Sequence, residues 1–324
     1  MMQTSTAQHV SGFREVVILV QNLDNQIQFY QEVGGYSFQH RGKADQSLNK
    51  LWGLPDDQPI EEAYLINRGD STGFLRLVRV GGLPNQELMR PSVQCWDTGG
   101  IFDLDIRVKN IEHMYQKMTR YAWIPASLPH RYQFGKFDVS EILMRGSEGV
   151  ALALIQRHNP VLEGWPNLRD FSYVFNSTQI VKDFDAAVAF YQQKLGFKIY
   201  MKTEALSTEP ELNILGIPRN FVQKIKRKVA ILSPQGDNVG SVELIHLEGF
   251  EGEDFSERTK PQNLGIFALR FPVKDLEAYK NQLTKQGIKN LTIHSVLLKP
   301  YGQTNMMVVS SPEGAWLEFF EKKD

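Results

Sequence analysis

The sequence predicts an α+β protein made of four β-α-β-β-β modules arranged as two pairs, and three observations support this. Leu23-Asp24-Asn25-Gln26-Ile27-Gln28-Phe29-Tyr30 is echoed 161 residues later by Phe184-Asp185-Ala186-Ala187-Val188-Ala189-Phe190-Tyr191. Gly100-Ile101-Phe102 is echoed by Gly265-Ile266-Phe267 and Glu148-Gly149 by Glu313-Gly314, both at an offset of 165 residues. Near-equal offsets at both ends mean two segments of equal length, and long-range self-similarity sets architecture before any propensity does. Within each segment the hydrophobic period switches twice from strand to helix and back to strands.

The first module opens with Phe13-Arg14-Glu15-Val16-Val17-Ile18-Leu19-Val20, a β-branched run of strand length. Leu23, Ile27, Tyr30 and Val33 then recur at helical spacing, and Gly34-Gly35 ends the pattern as a left-handed cap would. Tyr36–Gln39, Glu62–Asn67 and Gly73–Val80 follow as strands between polar, glycine-bearing turns. In the second module Phe102, Leu104, Ile106 and Val108 alternate with Asp103, Asp105 and Arg107, which predicts a strand with one polar face. A helix over 111–121 and a last strand at 150–155 complete it. The third module starts near Ser172, with its helix ending at Leu195-Gly196-Phe197, and the fourth runs over 264–321. The Pro- and Gly-bearing stretch 157–167 reads as a linker. It divides an N-terminal domain, 11–158, with modules at 13–80 and 100–157, from a C-terminal domain, 170–324, with modules at 172–247 and 263–322. The acidic stretch 248–257 reads as a solvated connection.

The chain has 324 residues, enough for two domains with their own cores, and 36 basic against 37 acidic side chains give a net charge of −1. That balance argues against a nucleic-acid or membrane-surface partner, and the expected partner is a small molecule. The stretch Met1–Val10 has neither a basic region nor an apolar run, and no segment approaches the length that spans a bilayer, so a cytoplasmic protein, monomer or homodimer, is expected. Cys95 is the only cysteine, which excludes an intrachain disulfide and a thiolate-rich zinc site.

Val181-Lys182-Asp183-Phe184-Asp185-Ala186-Ala187-Val188-Ala189-Phe190-Tyr191-Gln192-Gln193-Lys194-Leu195-Gly196-Phe197 closely resembles the opening of a vicinal-oxygen-chelate module. That superfamily includes glyoxalase I, bleomycin-resistance proteins and extradiol dioxygenases. Ser311-Pro312-Glu313-Gly314-Ala315-Trp316-Leu317-Glu318 resembles its closing motif. The resemblance implies that βαβββ modules pair so that curved mixed sheets enclose two clefts, one per half. It also implies ligand positions early in the first strand and in the last strand of each module. These fall on Glu15, Asp103, Asn176 and Ala268, and on Arg76, Ala153, Glu243 and Glu318.

With modules paired in chain order, the N-terminal cleft holds Glu15, Arg76, Asp103 and Ala153, and the C-terminal cleft holds Asn176, Glu243, Ala268 and Glu318. Neither has the two imidazoles and one carboxylate of an Fe(II) oxygenase, which disfavours extradiol chemistry. Arg76 puts a fixed cation where an ion would sit, so no metal is expected in the N-terminal cleft. There Glu15 or Asp103 pairs with it, as a structural ion pair or as part of a substrate-carboxylate clamp. In the C-terminal cleft Glu243 and Glu318 are the candidate catalytic and metal-ligating residues. With Asn176 they form an oxygen donor set suited to Mg²⁺ or Mn²⁺. Without metal, two carboxylates sharing a cavity raise one pKa and suit proton abstraction next to a carbonyl. Alternatively both glutamates are solvated or paired with Arg270.

Trp316, Phe320 and Tyr301 are read as aromatic lining for a flat or apolar ligand, or as core between modules. His130 and His294 are minor candidates on second strands. Leu48-Asn49 and Leu212-Asn213, each followed by a Gly-x-Pro turn, read as segments covering the clefts. Two functions follow. One is a glyoxalase-like lyase or isomerase acting on a small carbonyl or aromatic compound in the C-terminal cleft. The other is a metal-free binding or sequestering protein of bleomycin-resistance type.

Overall fold

A computed structural model describes residues 10–83 and 86–322 of the chain. Residues 1–9, on which the expectation for the N-terminus rests, and 323–324, the last positions expected in the C-terminal domain, lie outside the described residues. Module 1 comprises β1 (Glu15–Leu19), α1 (Leu23–Glu32), β2 (Ser37–Lys43), a short helix α2 (Ser47–Trp52), β3 (Ile60–Ile66) and β4 (Phe74–Val80). Module 2 comprises α3 (Ile111–Arg120) with β5 (Asp103–Arg107), β6 (Ile124–Pro125), β7 (His130–Phe134), β8 (Phe137–Arg145) and β9 (Ala151–Asn159). In module 3, β10 (Asn176–Ile180) leads into α4 (Phe184–Ala189), which continues as a π-turn over 190–194, then β11 (Lys198–Ala205), β12 (Lys226–Ser233) and β13 (Ser241–Glu248). Module 4 comprises β14 (Gly265–Val273), α5 (Leu276–Lys285), β15 (His294–Leu298), β16 (Gly302–Ser310) and β17 (Trp316–Glu321).

Each crossover helix starts at an Asn or Asp whose side chain accepts the backbone N–H three residues on: Asn22 from Asn25, Asn110 from His113, Asp183 from Ala186 and Asp275 from Ala278. Such a cap satisfies a donor that the first helical turn leaves unpaired. The four caps also give the modules a common origin. Seven residues before them stand Glu15, Asp103, Asn176 and Ala268, and five before them Val17, Asp105, Thr178 and Arg270.

In every module the first strand runs parallel to the last, as the helix crossover between them requires, and antiparallel hairpins fill the rest. The first strands then join modules edge to edge. β1 pairs antiparallel with β14, giving an eight-stranded sheet ordered β15-β16-β17-β14-β1-β4-β3-β2. β10 pairs antiparallel with β5, giving a nine-stranded sheet, β11-β12-β13-β10-β5-β9-β8-β6, with β7 paired to β8.

Module 1 therefore shares a sheet with module 4, and module 2 with module 3. This corrects the expectation of one cleft per half of the chain: each sheet draws on both sides of the 157–167 stretch. Sequence offsets identify equivalent modules, but an exposed first-strand edge can pair with any other such edge, so the repeat cannot choose partners. The stretch itself is pinned to module 1, where Asn167 donates to Asp70 (2.8 Å) and accepts from the Asn67 amide (3.2 Å).

Strand alternation divides the molecule into one central core and two clefts. Val16, Ile18, Leu75, Leu77, Leu104, Ile106, Leu269, Phe271, Leu317 and Phe319 point away from the clefts and pack with the helices into the largest cluster. Val17, Leu19, Trp52, Phe267 and Phe320 belong to a separate cluster in the 1–4 cleft, and Ala153, Leu215 and Ile245 to one in the 2–3 cleft. Among the described residues no helix is long and apolar enough to cross a membrane.

Candidate functional site

The 1–4 cleft is filled by charge. Arg76 and Arg270, both without solvent exposure, bridge three carboxylates. Arg76 grips Glu15 with two bonds of 2.8 and 2.9 Å and donates to Glu62 at 2.9 Å. It also donates to the Lys299 carbonyl, and its guanidinium lies 4.9 Å from the Tyr64 ring centre. Arg270 donates to Glu318 and reaches Glu15 at 3.3 Å. Burial alone would push the Glu15 carboxyl up, but the two guanidinium groups hold it below the usual carboxylate range. The other Glu318 oxygen accepts the Trp52 indole N–H at 2.6 Å.

Trp52 gets there because α2 ends at Gly53, which adopts φ +65°, a left-handed turn that only glycine takes without strain. Tyr301 and Trp316 pack around the same plug, Tyr301 at 4.9 Å from the Phe320 ring and Trp316 at 4.7 Å from Phe267. The predicted site residues Glu15, Arg76, Arg270, Glu318, Trp316, Phe320 and Tyr301 thus all lie in this closed cleft. Asp103 does not: it stands in the other sheet, so it makes no pair with Arg76.

Glu243 and Glu318 are also in different sheets, which removes the proposed shared carboxylate site and any ion between them. Glu318 has spent both oxygens on Arg270 and Trp52, and Glu243 stands in the 2–3 cleft with Asn176 and Asp103. Glu243 and Glu318 share a cleft only if modules 3 and 4 share a sheet, and these modules lie in different sheets.

The 2–3 cleft keeps internal space that no side chain plugs. A cavity of about 100 Å³ is lined by Asp103, Asp105, Glu141 and Glu243. It adjoins a second of about 370 Å³ that shares Tyr132, Ile214 and Glu243 with it. Asp103 and Asp105 point the same way because they alternate on β5. Glu141 comes from β8 and Glu243 from β13. Asn176 donates to Glu243 at 3.2 Å and Tyr132 donates to Glu141.

Among the described residues none of the four carboxylates has an Arg, Lys or His within salt-bridge distance. Burial, then the neighbouring acids, pushes Glu141 up to about 8 and Glu243 well above the carboxylate range. Burial also lifts Asp105 to about 7, against the pull of Arg107, and Asp103 well above its usual value. Arg107 lies 4.3 Å over the Phe175 ring and Arg157 4.2 Å over Phe137, both lining the cavity.

A roof closes over these groups. Asn213, equivalent to Asn49 of module 1, donates to the Ile217 carbonyl (2.7 Å) and accepts from Leu215 (3.1 Å) and Ile217 (3.0 Å). The turn so fixed hangs Ile214 and Leu215 over the acids. It has one residue fewer than the module 1 segment and nothing in place of Trp52, so no side chain plugs the cleft.

Residues 174–319 match the family model for the Glyoxalase/Bleomycin resistance protein/Dioxygenase superfamily. The chain carries a domain of that superfamily. No curated protein sequence matches it. Glyoxalase I from Zea mays superposes with a TM-score of 0.64 at 14% identity, over 97% of this chain and 93% of the maize chain. A putative dioxygenase from Bacillus subtilis strain 168 gives 0.57 at 10% identity, over 97% and 86%. At such identities the likeness is one of fold, and it extends over nearly the whole chain.

Superfamily members often hold a divalent metal, and the residues of the 2–3 cleft do not suit one. Ala153 offers no donor. The Asn176 carbonyl oxygen is committed to the backbone N–H of Ser177 at 2.7 Å, leaving its NH2 group toward Glu243. Among the described residues no three His, Cys, Asp or Glu side chains converge in metal-holding geometry.

Sequence reasoning missed Asp105, Arg107 and Glu141 as site residues. The alternation along 102–108 already put Asp103, Asp105 and Arg107 on one face, and Glu141 is the only acid within the apolar run of β8.

Proposed function

We propose that this protein is a glyoxalase-like lyase or isomerase, acting on a small carbonyl or aromatic compound in the 2–3 cleft, with Glu243 as the catalytic base. The observation that carries this reading is Glu243 itself: a carboxylate held only by an amide N–H, facing three further acids in a roofed cavity. Burial makes it a stronger base than a free glutamate. It would take a proton from the carbon beside the carbonyl, and the C–H electrons would move to the carbonyl oxygen to give an enolate. The unpaired Arg107 guanidinium is the cation available to that oxygen. In an α-hydroxy carbonyl compound the hydroxyl proton would pass to the former carbonyl oxygen and the proton held by Glu243 would return to the former carbonyl carbon, which is the bond change of an isomerase. No step uses a metal.

The test is proton exchange. Small α-hydroxy and α-oxo carbonyl compounds incubated in D2O should gain deuterium at the carbon beside the carbonyl, and Glu243→Gln should slow this by about 100-fold or more. Exchange that continues unchanged in Glu243→Gln, with the variant folded, would remove Glu243 from the role. A second reading, a metal-free binding protein, is favoured by the larger adjoining cavity and its aromatic rim of Tyr132 and Phe134. Ligand-dependent stabilisation without exchange or turnover would select it.

A further inference from the structure

The two clefts can be compared position by position, because both are built from equivalent strands in the same register. Arg76 on β4 stands opposite Val17 on β1 and Tyr64 on β3, and Ala153 on β9 stands opposite Asp105 on β5 and Leu143 on β8. Glu62 and Glu141 each lie two residues before those β3 and β8 partners, and Glu15 and Asp103 each lie seven before their helix caps. On the other side, Arg270 pairs with Glu318 and Thr178 with Glu243. With module 2 laid on module 1 and module 3 on module 4, one of the two superpositions that four equivalent modules allow, every acid of the 1–4 network has an acid at its counterpart in the 2–3 cleft: Glu15 in Asp103, Glu62 in Glu141, Glu318 in Glu243. Both arginines are gone, replaced by Ala153 and Thr178, and Asp105 adds a fourth acid where module 1 has Val17.

We propose that the 2–3 cleft takes an organic cation, a guanidinium, amidinium or protonated amine carried by its ligand, in the place that the Arg76 guanidinium fills in the 1–4 cleft. Asp103 and Glu141 would grip it as Glu15 and Glu62 grip Arg76. Ala153 supplies no guanidinium, Asp103 and Glu141 both line the cavity of about 100 Å³, and Asp103 is one methylene shorter than Glu15, which widens the seat. Asp103 is 5% exposed, lines the cavity and has one carboxyl oxygen with no partner. A buried polar atom left unpaired costs stability, so a donor from outside is the missing piece.

The other charged or titratable groups facing this seat are Asp105, Glu243, Tyr132, Tyr200, Arg107 and Arg157, and Arg90 acts on Asp103 from the segment before β5. Arg107 and Arg157 sit on Phe175 and Phe137, further along β5 and β9, without a carboxylate at salt-bridge distance among the described residues. An inorganic divalent ion fits less well, because the donors do not converge on a point. The inference rests on the 2–3 cleft being the functional site and names the substrate class for it: a small carbonyl or aromatic compound bearing a cationic nitrogen. Glu243, the counterpart of the acid that binds Arg270, stays free to act as the base.

The experiment is calorimetric titration of the intact protein with benzamidine and methylguanidine, with benzamide as the neutral isostere and MgCl2, MnCl2 and ZnCl2 as separate arms. Benzamidine should bind saturably and benzamide should not. Binding should release protons, since the acids ionise around the cation, and should tighten from pH 6 to pH 8. Glu141→Gln should weaken benzamidine about tenfold or more. Ala153→Arg, which supplies the guanidinium internally, should abolish the response. Should Ala153→Arg fail to fold, Glu141→Gln and Asp103→Asn carry the comparison. Equal binding of benzamide, unchanged benzamidine affinity in Glu141→Gln, or a response to divalent ions alone would overturn the proposal. Its failure is separable from that of the lyase or isomerase reading. Glu243-dependent deuterium exchange into a neutral carbonyl compound, with no benzamidine binding, sinks only the cation. Benzamidine binding without any exchange sinks only the chemistry.

Discussion

Trp52 and Glu318 stand 266 residues apart in the chain and meet through a 2.6 Å hydrogen bond from the indole N–H to a carboxylate that no solvent reaches. The bond ties the roof of module 1 to the last strand of module 4 and makes the 1–4 cleft part of the core. Trp52→Phe keeps most of the ring and removes the donor, leaving a buried carboxylate oxygen unpaired. A loss of about 1–3 kcal/mol is expected in urea denaturation, with unchanged ligand binding in the 2–3 cleft.

Removing the cation at the centre of that network should cost more. Arg76→Met leaves Glu15 and Glu62 buried without their shared partner, and about 3–5 kcal/mol of destabilisation is expected. The triple change Arg76→Met, Glu15→Gln, Glu62→Gln should recover part of it, because the orphaned charges go too. Equilibrium unfolding of the two variants checks this, and a triple variant weaker than the single one would count against a charge-pair origin.

Stability should fall as pH rises from about 4 to about 8 through the acids of the 2–3 cleft. Asp105 at about 7 and Glu141 at about 8 sit above their unfolded values, as do Asp103 and Glu243, so the folded protein binds more protons than the unfolded chain in that window. Their contribution is fully present below the unfolded pKa and is lost as pH climbs through the folded one, on the order of a few kcal/mol in total. Glu15 acts in the opposite direction at acid pH: its depressed carboxyl loses its contribution as pH drops through the folded value. Urea midpoints measured from pH 4 to 9 should therefore decline on the alkaline side, and Glu141→Gln should flatten that decline.

Tyr132 donates to Glu141 and so favours its ionised form. Tyr132→Phe should move the Glu141 titration to higher pH, read by carboxyl carbon NMR against the wild type. A downward movement would mean that the hydroxyl accepts the bond instead.

The roof over the acids depends on Asn213, whose side chain makes three hydrogen bonds to its own turn. Asn213→Ala should speed amide exchange across 206–224 by about tenfold or more and weaken binding in the 2–3 cleft, with a smaller effect on global unfolding. Asn49→Ala, its counterpart in the closed cleft, should leave binding in the 2–3 cleft untouched.

Much of this fold was readable from residues alone. The Leu23–Tyr30 and Phe184–Tyr191 echo located helices α1 and α4, and the alternation at 102–108 identified β5 and its polar face. The positions of Glu15 and Asn176 in their strands followed from counting back from the strand-to-helix junction, and those of Arg76 and Glu243 from counting on from the closing turn. The partner of each module was not readable, because β1 offers the same unpaired backbone edge to β5 as to β14, and no side-chain pattern along it distinguishes them. That single ambiguity put Glu318 beside Glu243 and Asp103 beside Arg76. The acid cluster was hidden for a related reason: Asp105 and Glu141 become a pair only when β5 and β8 curve around one space, and linear text does not carry curvature.

The pairing of module 1 with 4 and module 2 with 3 is nested like two sets of brackets, and this has a bearing on synthesis. Once residue 248 has left the ribosome, every strand of the nine-stranded sheet exists, and the 2–3 cleft can assemble while module 4 is still being made. The eight-stranded sheet must wait for the final strand, with β1 to β4 holding an open edge until then. Arg270 and Glu318 arrive last and lock onto Glu15 and Trp52, so the sealed cleft acts as the clasp that completes the molecule around a 2–3 cleft already formed.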